Sequence, residues 1–107
     1  MEQKKTDEKN EENLREYFHE QVGPAKWSEL DKLFAQGLVL EVAPALNLID
    51  TAIAISLNDK KTVQRWIDDQ LLSGVSDERA KVWFEEDIDV FAVVVEPWVL
   101  VKKRENR

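Results

Sequence analysis

The chain has 107 residues, with 15 Lys and Arg against 22 Asp and Glu, a formal net charge of −7, and no cysteine. The missing cysteines exclude disulfides, thiolate metal sites and cysteine nucleophiles, and the single histidine, His19, excludes multi-histidine metal centres. A hydrophobic content of 43%, with four Trp and four Phe, is enough to build one core at this length.

Residues 1–10 are polar and read as a charged, frayed tail, and residues 104–107 as a short basic one. Neither the opening run nor any later stretch has the apolar length of a signal peptide or a membrane span. A cytoplasmic protein without a membrane partner is expected. Between the ends, residues 11–103 form a single domain. Residues 21–101 hold 14 acids and seven bases, so the body itself is acidic and repels nucleic acid at long range.

A first helix is predicted over Glu11–Gln21, with Leu14, Tyr17 and Phe18 on one side, stopped by Gly23-Pro24. A second, Trp27–Gln36, carries the stripe Trp27, Leu30, Leu33 and Phe34, and Gly37 occupies the place of a helix C-cap. Leu38–Val42 reads as a short strand ended by Ala43-Pro44. The largely apolar segment Ala45–Leu57 reads as a helix in the middle of the domain. Asn58 or Asp59 caps a helix over Lys60–Leu72 whose Val63, Trp66, Ile67 and Leu71 face inward, and Gly74 breaks it. Ser76 caps a fifth helix, Asp77–Glu86, with Asp77 and Glu78 at the positive end of its dipole and Ala80, Trp83 and Phe84 buried. Two strands close the chain. Val90–Val95 is uninterruptedly apolar and reads as covered on both faces, and Trp98–Val101 follows it. Glu96-Pro97 is poor chemistry for a two-residue hairpin, so Pro97 marks a sheet edge, a bulge or a bend.

The expected fold is α+β: about five helices with a small, mainly antiparallel three-stranded sheet. Without the first and fifth helices the order becomes helix, strand, helix, helix, strand, strand, which is winged-helix-like. The stretch Asp59-Lys-Lys-Thr-Val-Gln-Arg-Trp-Ile67 resembles the recognition helix of excisionase-type and MerR-type helix-turn-helix domains, with Ala52 ten residues before Thr62 as the small residue at the helix crossing. Two positions depart from that pattern. Leu57 and Asn58 stand where the turn usually has Gly and an aliphatic residue, and the helix runs on into Asp68-Asp69. The resemblance implies DNA contacts through Lys60, Lys61, Gln64 and Arg65, side chains suited to phosphates and base edges. The plainer reading of the same residues is the solvated face of an amphipathic helix.

A wider resemblance covers residues 14–101. The patterns Trp27-x-Glu29-Leu30, Phe34-Ala35-x-Gly37, Val42-x-Pro44-x-Leu46-x-Leu48-Ile49, Asn58-Asp59 and Val63-x-x-Trp66 carry it, with the closing Ala92-Val-Val-Val-x-Pro97-Trp98-Val-Leu-Val101 its most specific part. It resembles a small bacterial family of uncharacterised domains. This implies a common fold and a cytoplasmic bacterial setting, and it brings no chemistry with it.

Few residues point to catalysis. The run Glu85-Glu86-Asp87-x-Asp89 would suit a hard cation such as Mg²⁺ or Ca²⁺, but it lacks EF-hand spacing and reads as a solvated acidic corner. Glu41 is expected to face solvent, and Asp50 to be paired with Lys or Arg near the core. With only 3 glycines there is no phosphate-cradling loop, and no serine sits in a nucleophile elbow. Trp27, Trp66 and Trp83 are expected in the core. Pro97 and Trp98 form a candidate protein-interaction edge, since exposed Trp is enriched in binding hot spots. The favoured expectation is a non-enzymatic protein-interaction or accessory module without a cofactor. Its partner would be another protein or a second copy. The alternative is a DNA-binding regulator using the helix 60–72, which the acidic charge disfavours.

Overall fold

The computed structural model describes the backbone of residues 2–104 and the side chains of residues 11–104. The charged tail expected at 1–10 falls on side chains outside that set, as does most of the basic tail at 104–107. Helix α1 spans Glu2–Gln21, β1 Gly23–Lys26, a 3₁₀ turn Trp27–Leu30, α2 Asp31–Ala35, β2 Val39–Val42, α3 Leu48–Ser56 and α4 Lys60–Asp68. The chain continues through β3 Leu72–Gly74, α5 Asp77–Glu86, β4 Asp89–Val95 and β5 Trp98–Lys103. No helix of the described residues is long and apolar enough to cross a membrane.

The α+β class holds, but the sheet is larger than expected. It has five strands in the order β1-β4-β5-β2-β3 and is mixed, because β2 runs parallel to β5 while the other pairs are antiparallel. The two unforeseen strands are the edges. β1 contains Gly23-Pro24, and an edge strand tolerates proline because one side of it needs no ladder N–H. β3 is three residues long and includes Gly74. Both edges are short, which blunts edge-to-edge pairing. The winged-helix-like expectation of a small antiparallel sheet is corrected by the parallel β2–β5 pairing and by helices packed on both faces.

Each face carries its own core. On one, α1 and α3 bring Phe18, Leu48, Ala52 and Ile53 against Val42, Leu72, Val93, Val95 and Leu100, with Val63 and Trp66 of α4 partly buried beside them. On the other, the 3₁₀ turn and α5 bring Trp27, Leu30, Ala80 and Trp83 against Val39, Val90, Val99 and Val101. Strand alternation explains the division: Val99 and Val101 face one core while Leu100 between them faces the other. The Trp27 and Trp83 rings meet edge to face, with centroids 4.9 Å apart. Coverage of β4 is incomplete, since Phe91 and Val94 remain exposed.

Local signals account for most boundaries. Asn47, Asp59 and Ser76 accept from the backbone N–H of Asp50, Thr62 and Arg79, the N-cap contact that starts α3, α4 and α5. Gly37 follows α2 with φ of +75°, the left-handed position that suits glycine after a helix. The helix expected over Trp27–Gln36 divides into the 3₁₀ turn and α2. The one expected over Lys60–Leu72 stops at Asp68, because Gln70 turns the chain with φ of +62° and Leu72 enters β3.

β5 lies between β4 and β2, so Pro97 and Trp98 are not at a lateral sheet edge, and that expectation is corrected. They stand at the tip of the β4–β5 hairpin, where Val95 pairs with Trp98 across a two-residue connection containing a cis Glu96-Pro97 bond. This is the proline position of a type VI turn, a solution that the usual Asn-Gly chemistry does not announce.

Candidate functional site

An apolar groove of about 620 Å³ lies between α4 and the sheet. Its floor is formed by Leu40 of β2, Leu72 and Gly74 of β3, and Trp98 at the start of β5. Ala54 and Ile55 of α3 close one end, and Val63, Gln64 and Ile67 of α4 form the wall. Among the described residues, Asp59 and Lys60 are the only charged ones lining it.

The groove exists because α4 is only half docked. Its Val63, Trp66, Ile67 stripe is that of a core-facing helix, yet no residue of α4 is buried. Val63 and Trp66 are half-buried, and Ile67 is 46% exposed. The floor is low where β3 ends, since Gly74 has no side chain and a Cβ built there meets nothing within 4 Å. Trp98 stays half-buried beside it. Leu57, in the turn between α3 and α4, is also exposed. Exposed apolar side chains around an apolar concavity are the usual mark of a contact surface.

The structure brings the candidate DNA contacts together. Lys60, Lys61, Gln64 and Arg65 are all exposed and share one open surface of α4 with Asp68. The amide of Gln64 donates to Asp68 at 2.9 Å, so an acid sits among the bases. Lys60 and Gln64 also reach the groove, which places them beside Trp98, a residue that sequence reasoning assigned to a different surface. Pro97 is exposed at the hairpin tip and does not line the groove. Sequence reasoning missed Leu40, Ile55 and Gly74, and counted Ile67 as core. The only available signal was Gly74, which reads equally well as a breaker.

Four of the remaining charged candidates, Glu41, Asp50, Asp87 and Asp89, have structural partners. Glu41 does not face solvent: Arg79 donates to both of its oxygens, at 2.9 and 2.8 Å. Asp50 is paired with Arg15 at 2.9 Å, tying α3 to α1. The acidic corner is dispersed. Asp87 accepts from Ser28 at 3.1 Å, and Asp89 pairs with Lys26 at 3.0 Å. The hydrogen bond to Asp89, and then its charge, hold the Lys26 ammonium above the ordinary lysine value. Among the described residues no group of three or more His, Asp or Glu side chains is placed to hold a metal ion.

Comparison with known proteins agrees with this picture of a fold without an assigned activity. The solution NMR structure of PA1075 from Pseudomonas aeruginosa is similar at a TM-score of 0.77 and 34% identity, over 88% of this chain and 87% of that one. No curated protein matches the sequence. The model of a family of proteins of unknown function, DUF2288, matches residues 13–103, and the chain belongs to that family.

Proposed function

Starting from membership of a family without an assigned activity, we propose that the protein is a non-enzymatic interaction or accessory module, acting in the bacterial cytoplasm by docking another folded protein chain in the α4 groove. The half-docked α4, with Ile67 exposed beside Trp98, carries this reading. An amphipathic helix leaves part of its apolar stripe in water at a cost of roughly 25 cal/mol per Å², so a surface that completes the burial is favoured. Support also comes from four of the ionisable residues singled out for chemistry, Glu41, Asp50, Asp87 and Asp89, which have structural partners.

A photoreactive amino acid placed at Ile67, with a control at the exposed Phe84 of α5, tests the reading in living bacterial cells. A discrete protein adduct at position 67 and none at 84 is expected. No adduct at 67, or the same adducts at both positions, would sink it.

A DNA-binding role for α4 draws support from the shared exposure of Lys60, Lys61, Gln64 and Arg65. It is opposed by Asp68 within that surface and by the acidic body.

A further inference from the structure

Helices α2, α3, α4 and α5 end in one common way, with a left-handed residue whose N–H and that of the next residue bond back into the last turn. In α4 these bonds run from Gln70 to Ile67 and from Leu71 to Trp66. Left-handed φ favours glycine at the turning position, because a Cβ crowds the backbone there. α2 uses Gly37, with φ of +75°. α5 uses Asp87 at +48°, and its carboxylate accepts from Ser28, a use within the fold. α3 and α4 use Asn58 at +59° and Gln70 at +62°. Of the four, Gln70 is the least suited to this backbone, since Asn and Asp tolerate it and Gln does not share that tolerance. Both carboxamides are exposed, and neither makes a side-chain hydrogen bond with a described residue. Both line the α4 groove.

Their placement matches one kind of occupant. A primary carboxamide carries an acceptor and donors side by side, the complement of the C=O and N–H of a main chain. A helix uses those groups internally, whereas a lone extended segment leaves them free. Asn58 and Gln70 stand just beyond the two ends of α4, whose nine residues measure about 14 Å. An extended chain of roughly four to six residues covers that span. Every second side chain of such a segment faces the groove floor. The open space above Gly74, opposite Leu40, takes one of them, and the apolar lining there selects an apolar one.

We infer that the α4 groove binds a short extended segment of a partner protein. The carboxamides of Asn58 and Gln70 pair with its main chain, and alternate apolar side chains rest on the floor. The inference rests on the groove being a protein-docking surface and adds the form of the docked segment.

Random linear heptapeptides displayed on phage test it, selected on the full chain with Gly74→Val, which fills the floor, as counter-selection. Enriched sequences are expected to carry apolar residues two positions apart. The tightest peptide is then synthesised, and calorimetry measures its Kd for the wild type, Asn58→Gly and Gln70→Gly. Glycine suits both backbones, so each variant is expected to keep or raise the Tm. Each should nevertheless bind the peptide roughly three- to tenfold more weakly, the worth of one neutral hydrogen-bonded contact. A merely structural role would not raise stability while weakening binding.

Equal affinity of the wild type and both glycine variants overturns the inference. Apolar residues three and four apart, the mark of a docked helix, overturn it too, as does no enrichment beyond the Gly74→Val background. If a discrete adduct still forms from position 67 in cells, such results remove only the extended segment and leave the groove as a docking surface. Loss of that adduct as well removes the docking surface.

Discussion

Arg79 of α5 grips Glu41 of β2 through two parallel hydrogen bonds of 2.9 and 2.8 Å, while its guanidinium carbon lies 4.8 Å from the centroid of the Trp83 ring. Glu41 is 15% exposed and Arg79 49%, so the pair joins a largely desolvated acid to a half-solvated base. It fixes α5 over the sheet and holds Trp83 against Trp27.

Replacing Arg79 by Lys should therefore cost stability, because an ammonium cannot supply the planar fork or the same stacking. Fully desolvated charge-assisted bonds contribute about 1.5–3 kcal/mol, and the exposure of Arg79 reduces this to about 1 kcal/mol for Arg79→Lys. Urea denaturation measures the loss. A change within experimental scatter for both Arg79→Lys and Glu41→Gln would show that the pair is only a surface ornament of the fold.

The tryptophans should separate into two classes. Trp27 and Trp83 are 1% and 3% exposed, and truncating either to Ala should cost ~3–5 kcal/mol, close to the whole stability of a small domain. Trp98→Ala should cost less, about 1–2 kcal/mol, since part of its surface already lies open in the groove. Acrylamide quenching of single-tryptophan variants made with Phe checks the same division without unfolding the protein. Quenching of Trp98 no stronger than that of Trp27 would contradict it.

The cap contacts predict an order of effects. Asn47 and Ser76 accept at 2.9 and 3.1 Å, whereas the Asp59 contact is longer at 3.3 Å. Asn47→Ala and Ser76→Ala should each lose about 1 kcal/mol in thermal or urea melts, and Asp59→Ala less. Equal losses, or a larger one for Asp59, would mean that the Asp59 carboxylate does more than cap α4.

Much of the fold is legible in the sequence where the signal is local. Ser76 and Asp59 before apolar stripes, Gly37 after one, and the β-branched run of β4 all mark their elements through short-range chemistry. β1 and β3 are hidden for a matching reason. Gly23-Pro24 and Ser73-Gly74 are turn-like in isolation and become strands only by pairing with β4 and β2, which are remote in sequence. Read locally, the sequence therefore shows three strands. The groove is hidden more deeply. The stripe Val63, Trp66, Ile67 predicts burial, and only the distance at which α4 sits from β2 and β3 leaves Ile67 in water. The setting of Glu41 is hidden as well, because strand alternation places it toward solvent unless a helix covers that face, and Arg79 comes from 38 residues away.

Filling the groove should leave the fold intact. Gly74 lies opposite Leu40 with open space above it, so Gly74→Val adds a β-branched side chain without a clash. Its stability should be unchanged or raised by up to about 1 kcal/mol, because glycine is a poor strand residue. The adduct expected from position 67 should nevertheless disappear. Persistence of that adduct in Gly74→Val would place the contact outside the groove.

Lys26 gives a pH prediction whose sign follows from its raised value. The Lys26–Asp89 contact contributes while the ammonium is charged, so its contribution is complete below the ordinary lysine value of 10.5. It is lost as the pH rises through the higher folded value. In a carbon-13 NMR titration, Lys26 should be the lysine that holds its proton to more alkaline pH than an unpaired one, and Asp89→Asn should return it to the ordinary range. Unchanged titration in the Asn variant would remove Asp89 as the cause.

Duplex DNA provides the sharpest contrast between the two readings of α4. A helix that enters a groove must bring bases to phosphates along its whole exposed face, yet here Asp68 lies among Lys60, Lys61 and Arg65, and the body around them is acidic. Phosphate contacts are strengthened at low salt, so fluorescence anisotropy on a labelled duplex at low ionic strength favours detection. The interaction reading predicts no micromolar binding even there, and no difference between the wild type and a Lys60→Ala, Lys61→Ala, Arg65→Ala triple variant. Binding that weakens steeply with salt and vanishes in the triple variant would reassign α4 to nucleic acid.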